Sequence, residues 1–169
     1  MRTTLKTAAA ALMLTSMFTD ICAAAERSAT CANPADMYAV RAAAVQQNLM
    51  VAALSCHAIS QYNRFVTEYR TQLQASDHQL EVFFRRLYGQ SGTSQYHSFK
   101  TRLANASSLE SINKGLTYCA EAQATFDLAL NRGRKSLTAF LAGQPEQVEI
   151  NFSPCETITA STRQPPRRH

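Results

Sequence analysis

The sequence predicts an all-α fold: a single bundle of five to six helices, preceded by a cleaved signal peptide and followed by an extended strap and a disordered basic tail. Three observations carry this. Apolar residues return at steps of three, four and seven along most of the chain. Gly and Pro are sparse, five of each, while Ala, Leu and Gln abound, which disfavours an all-β fold. The 169-residue length suits one domain, and there is no internal repeat and no heptad run long enough for a coiled coil.

The N-terminus comes first. Arg2 and Lys6 precede an apolar run over residues 7–18, and Ala23-Ala24-Ala25 offers the small side chains that a signal peptidase reads. This order predicts a signal peptide over 1–25, cleavage after Ala25, and a periplasmic or secreted protein. Asp20 departs from the usual pattern. Cys22 follows Ile21, where lipidation needs a small residue, so a lipoprotein is not expected. Removing 25 of 169 residues leaves 144. The helical domain is expected over 26–155 and the tail over 156–169.

Cleavage leaves Cys31, Cys56, Cys119 and Cys155. An even set of cysteines in an exported domain reads as disulfides. Among the connectivities open to them, we favour Cys56–Cys119, which staples two helices, with Cys31–Cys155, which ties the segments flanking the helical body. Four buried thiols are the alternative.

The body opens at Asn33, a helix cap, with Pro34 at the first helical position and Asp36 in the first turn. Met37, Val40, Ala44, Val51, Leu54 and Ala58 share one face, and Leu49, Ala52 and Cys56 another. Two apolar faces predict a central helix packed on more than one side. Ile59, Tyr62, Phe65, Val66, Tyr69 and Leu73 give a second helix, with a break near Ser60. Ser76-Asp77-His78-Gln79 reads as a capping box that opens a third helix, with Leu80, Phe83, Phe84 and Leu87 inward. Glu81 and Arg85 pair on its surface, and Gly89 ends it.

Residues 90–94 read as a loop. Tyr96, Phe99 and Leu103 form a short helix, and residues 105–108 a turn. A second capping box, Ser107 to Glu110, starts a helix with Leu109, Ile112, Leu116, Cys119, Ala120 and Phe126 on its apolar stripe and Gly115 inside it. Gly133 breaks it from a last helix carrying Leu137, Phe140 and Leu141 and ending at Gly143. Val148, Ile150 and Phe152 then alternate as a strap anchored at Pro154-Cys155.

Met50-Val51-Ala52-Ala53-Leu54-Ser55-Cys56, Tyr62-Asn63-Arg64-Phe65-Val66, Phe99-Lys100-Thr101-Arg102-Leu103-Ala104-Asn105 and Tyr118-Cys119 resemble segments of small exported alphaproteobacterial proteins with no assigned function. The resemblance spans about residues 37–126 and rests on helical packing motifs. It implies a Gram-negative periplasmic setting and carries no catalytic residues across.

The residues 26–162 hold 12 basic and 11 acidic side chains, a net +1, so the body is no nucleic-acid-binding surface. The tail residues Arg163, Arg167 and Arg168 could make weak contact with an anionic surface, or simply form a solvated end. Ala53-Leu54-Ser55-Cys56-His57 lacks the first Cys of the Cys-x-x-Cys-His haem site, which leaves a single-thioether c-type haem as a remote alternative. No cysteine pair has the spacing of a redox motif. His57, His78, His97 and His169 are scattered, so neither a metal nor another cofactor is expected.

Glu68, Asp77, Glu81, Glu110, Glu121 and Asp127 could serve a cell-envelope hydrolase acting on peptidoglycan, but nothing selects two of them. There is no Gly-x-Ser-x-Gly elbow, phosphate loop or Ser-x-x-Lys motif. The candidate binding groove is polar: Tyr62, Asn63 and Arg64 opposite Lys100, Arg102 and Asn105. The competing reading buries these aromatics and leaves the charges in water. The expected function is an exported, non-catalytic helical protein that binds a protein or cell-envelope component, with the hydrolase as alternative.

Overall fold

The structure is a computed structural model and describes residues 31–131, 136–145 and 152–155. The signal segment, Gly133, Val148, Ile150 and the tail lie outside the described residues. The fold is an all-α bundle of α1 (Pro34–Ser55), α2 (Ile59–Glu68), α3 (Arg70–Tyr88), α4 (Gly92–Lys114), α5 (Leu116–Ala129) and the short α6 (Leu137–Leu141).

Helix α1 is the axis. It packs on every other helix of the bundle, and its alanines let those helices approach closely from several sides. On one side Val45, Leu49, Phe65, Tyr69, Phe126, Leu137 and Phe140 join α1 to α2, α5 and α6. On the other, Val40, Leu80, Phe83, Phe84, Phe99 and Leu103 join it to α3 and α4. Leu54 departs from the expected stripe and faces solvent.

The start of α1 is fixed by a reciprocal cap. The Asp36 N–H donates to Asn33 Oδ1 at 3.0 Å, and the Asn33 N–H donates to Asp36 Oδ2 at 2.8 Å. Asp36 is fully buried. Gln79 Nε2 also donates to it at 2.8 Å, and the Arg86 guanidinium pairs with it. Arg86 donates in addition to the Cys31 carbonyl at 3.0 Å and lies over the Phe83 ring. Beside this network, Ala32 exchanges backbone hydrogen bonds with Ser153 and Cys155, both 2.9 Å, and Cys31 is bonded to Cys155. Phe152 packs edge-on against Phe83 and Phe84.

Five local expectations are corrected. The break after α1 falls at Cys56–His57, not near Ser60. The Ala58 N–H returns to the Ala53 carbonyl at 3.0 Å, with His57 at φ 57°, the left-handed closure of a helix C-terminus. Ser76 does not cap a helix. It lies inside α3, buried, donating to the Leu73 carbonyl at 2.9 Å, because Gln79 is engaged by Asp36 instead. Residues 90–94 are not an open loop: a 3₁₀ turn, Gly89–Ser91, leads directly into α4.

Residues 105–108 are not a turn either. Helix α4 runs through them to Lys114, with Ser108 donating to the Ala104 carbonyl at 2.9 Å. The boundary is Gly115, which sits at φ 53° between α4 and α5 rather than inside a helix. With the register so set, Leu109, Ile112 and Leu116 point outward.

Gly92 closes the α3–α4 hairpin. A Cβ there would lie 2.8 Å from the Arg85 amide nitrogen and the Phe84 carbonyl oxygen, both rigid backbone. Gly92→Ala should therefore lower the unfolding free energy, read from urea titration, by well over the roughly 0.5 kcal/mol that bounds a typical surface substitution. Asp36→Ala leaves Arg86 without its carboxylate and should destabilise by about 3–5 kcal/mol in urea unfolding.

Candidate functional site

The residues of the expected groove are divided between α2 and α4 and line more than one hollow. Helices α2 and α4 pack in different core clusters, with α1 between them. Tyr62 is half-buried on α2. Burial holds its phenol above the ordinary range, while a hydrogen bond with Gln46 of α1 and the charge of Lys100 pull the other way. Asn63 and Arg64 instead line a shallow hollow with Thr67 and Glu68. Arg102 covers the Phe99 ring and borders a separate hollow on α4, and Asn105 is exposed.

Lys100 belongs to a clamp between α3 and α4. Its ammonium donates to Asp77 Oδ1 at 2.7 Å and meets the Tyr96 hydroxyl at 3.1 Å, while that hydroxyl donates to Asp77 at 2.8 Å. Burial lowers the Lys100 pKa, but hydrogen bonds with Asp77 and Tyr96 outweigh it and leave the group above its ordinary value. Burial also raises the Tyr96 phenol. The ammonium therefore stays charged at neutral pH, which suits anchoring and not nucleophilic attack.

The carboxylates considered for hydrolysis are spread over the surface. Asp77 sits in the clamp, Glu81 pairs with Arg85 at 3.9 Å, and Asp127 accepts from Gln123 at 3.0 Å. Glu110 and Glu121 alone among them meet at one group, the Lys114 ammonium, at 2.7 and 3.2 Å. Among the described residues, no three His, Cys, Asp or Glu side chains cluster as metal ligands.

Behind Lys114 lies a cleft of about 510 Å³ between α4, α5 and the turn after α6. Asn48 of α1 and Tyr118 of α5 reach it from the core, both nearly buried. The Tyr118 hydroxyl donates to the Asn48 carbonyl at 3.1 Å. Burial, helped by the negative charge of Glu110, pushes the Tyr118 phenol up to about 12. Ala122, Leu128 and Pro145 give the cleft apolar walls, and Gln144 projects into it. The groove reading missed this cleft. Its trace in the sequence is Asn48, a polar residue on a helix otherwise apolar on two faces.

A second feature occupies the opposite character of surface. Leu54, Ile59, Ile112 and Leu116 are 68%, 54%, 77% and 90% exposed. They come from four chain segments held at one end of the bundle. The Ser55 and Ser111 hydroxyls meet at 3.5 Å there, and Cys56 is bonded to Cys119 with Cα atoms 5.5 Å apart. Leu109, one turn back on α4, is 62% exposed. No known protein family, curated protein or solved structure matches the chain.

The raised Tyr118 pKa has a definite sign. A neutral phenol is favoured by the fold, so its contribution is full below pH 10 and is lost as the pH rises toward about 12. Tyr118→Phe should cost about 1 kcal/mol at neutral pH through the lost hydrogen bond. It should also flatten the alkaline limb of urea midpoints between pH 10 and about 12.

Proposed function

We propose that this chain is an exported, non-catalytic helical module of the bacterial periplasm that docks a protein of the cell envelope on its apolar end. One observation carries the reading: Leu54, Ile59, Ile112 and Leu116, all more than half exposed, gathered around the Cys56–Cys119 disulfide. Single exposed aliphatic residues are ordinary, whereas four of them on chain segments tied together by the Ser55–Ser111 contact and the Cys56–Cys119 disulfide favour an interaction surface. The disulfide fixes the ends of α1 and α5, so the surface is formed before a partner arrives and little ordering entropy is lost on docking.

The partner's chemistry follows from the charges on the neighbouring turns. Lys114 is matched by two carboxylates, Glu110 and Glu121, which leaves a net −1. That favours a protein face of apolar side chains with a basic rim over an anionic lipid surface. The order of charge, apolar run and small residues at the N-terminus supports export, and two disulfides are compatible with an oxidising compartment. The hydrolase alternative gains no support, because the two carboxylates that come together are both paired with the Lys114 ammonium.

Photo-cross-linking in living cells tests this. A cross-linking side chain at Ile112 or Leu116 should give a discrete adduct, and one at exposed Gln90 should not. Leu54→Asp should reduce the adduct about tenfold or more while leaving helical circular dichroism unchanged. Equal labelling from Gln90, or an adduct indifferent to Leu54→Asp, would remove the docking surface.

A further inference from the structure

The cleft beside Lys114 carries a second, separate reading that does not depend on the apolar end. Asn48 is only 8% exposed and reaches the cleft from the core. Gln144 Nε2 is buried and has no acceptor. Both residues line the same cleft. A buried donor left unpaired costs on the order of 1–3 kcal/mol, so the Gln144 amide, set in one cavity with the Asn48 side chain, points to a ligand that completes it.

We propose that this cleft binds a short peptide, with a peptide group held by the Asn48 and Gln144 amides and a free amino terminus held by Glu110 and Glu121. A primary amide donates at nitrogen and accepts at oxygen, which matches the C=O and N–H of a peptide unit. A phosphate or carboxylate would use only the donors. The rim has two carboxylates for one ammonium, so it has room for a second positive charge. Ala122, Leu128 and Pro145 suit small apolar side chains. The volume, about 510 Å³, falls in the usual range for small-molecule sites.

The probe is trialanine, compared with N-acetyl-trialanine, titrated into the oxidised protein and followed by the side-chain NH₂ resonances of Asn48 and Gln144. Trialanine should shift both resonances saturably, with a Kd near or below about 1 mM. Acetylation, which removes the positive charge, should weaken binding about tenfold. Gln144→Met, at the chain's surface turn, should do the same with unchanged circular dichroism. Asn48→Leu removes the second amide at similar size. If Asn48→Leu fails to fold, Gln144→Met decides alone. No saturable shift up to about 10 mM, or equal binding of the acetylated peptide, overturns the proposal.

Discussion

Asp36 has no access to solvent, and the groups that satisfy it come from separate stretches of the chain: the Asn33 amide, the Gln79 carboxamide and the Arg86 guanidinium. A buried carboxylate is tolerated only when paired and hydrogen-bonded, so this one residue fixes several things together. It sets the first residue of α1. It sets the rotation of α3, since Gln79 and Arg86 must both face it. Through the bond from Arg86 to the Cys31 carbonyl it also seats the segment whose cysteine is joined to Cys155. The Phe152 strap then covers Phe83 and Phe84.

With α3 rotated in this way, the rest of the packing has little freedom. Phe83 and Phe84 turn inward beneath α4, and Gly92 permits the tight approach of α4 to the end of α3. On the far side of α1, Tyr69 donates to the Ala129 carbonyl at 2.7 Å and Leu137 donates its N–H to Gln72, which seats α5 and α6 against the α2–α3 junction. The disulfides lie at two different places in this frame. One closes the strap onto the start of α1. The other joins the end of α1 to α5, where the apolar side chains and the cleft are found. In the chain-entropy account, loops of 124 and 63 residues each restrict the unfolded chain by about 4–5 kcal/mol.

Much of this was legible in the residues. Asn33, Pro34 and Asp36 announced the start of α1, and its two apolar faces announced a helix buried on both sides. The all-α bundle followed from periodicity. The errors had a common source, because local cap patterns were read where tertiary contacts decide. Ser76 and Gln79 fit a capping box, yet Gln79 is taken by Asp36, which is distant in sequence. Residues 105–108 are rich in turn formers, yet helix packing on α1 carries α4 through them. Once that turn is gone, the register of Leu109, Ile112 and Leu116 changes from core to surface. The cleft was harder to foresee, since Asn48, Tyr118 and Gln144 meet only when three helices are in place. The groove residues show a different limit: helical spacing places them on helices, but not which of them line one hollow, and Asn63 and Arg64 share one while Arg102 borders another.

The binding account depends on an oxidised, exported chain, because the apolar end and the cleft both stand on segments joined by Cys56–Cys119. The most direct measurement is the intact mass of the protein recovered from the envelope fraction without reducing agent. The account requires the mass of residues 26–169 less four hydrogens, one pair for each disulfide. The mass of the full 169-residue chain with all its thiols free would contradict it.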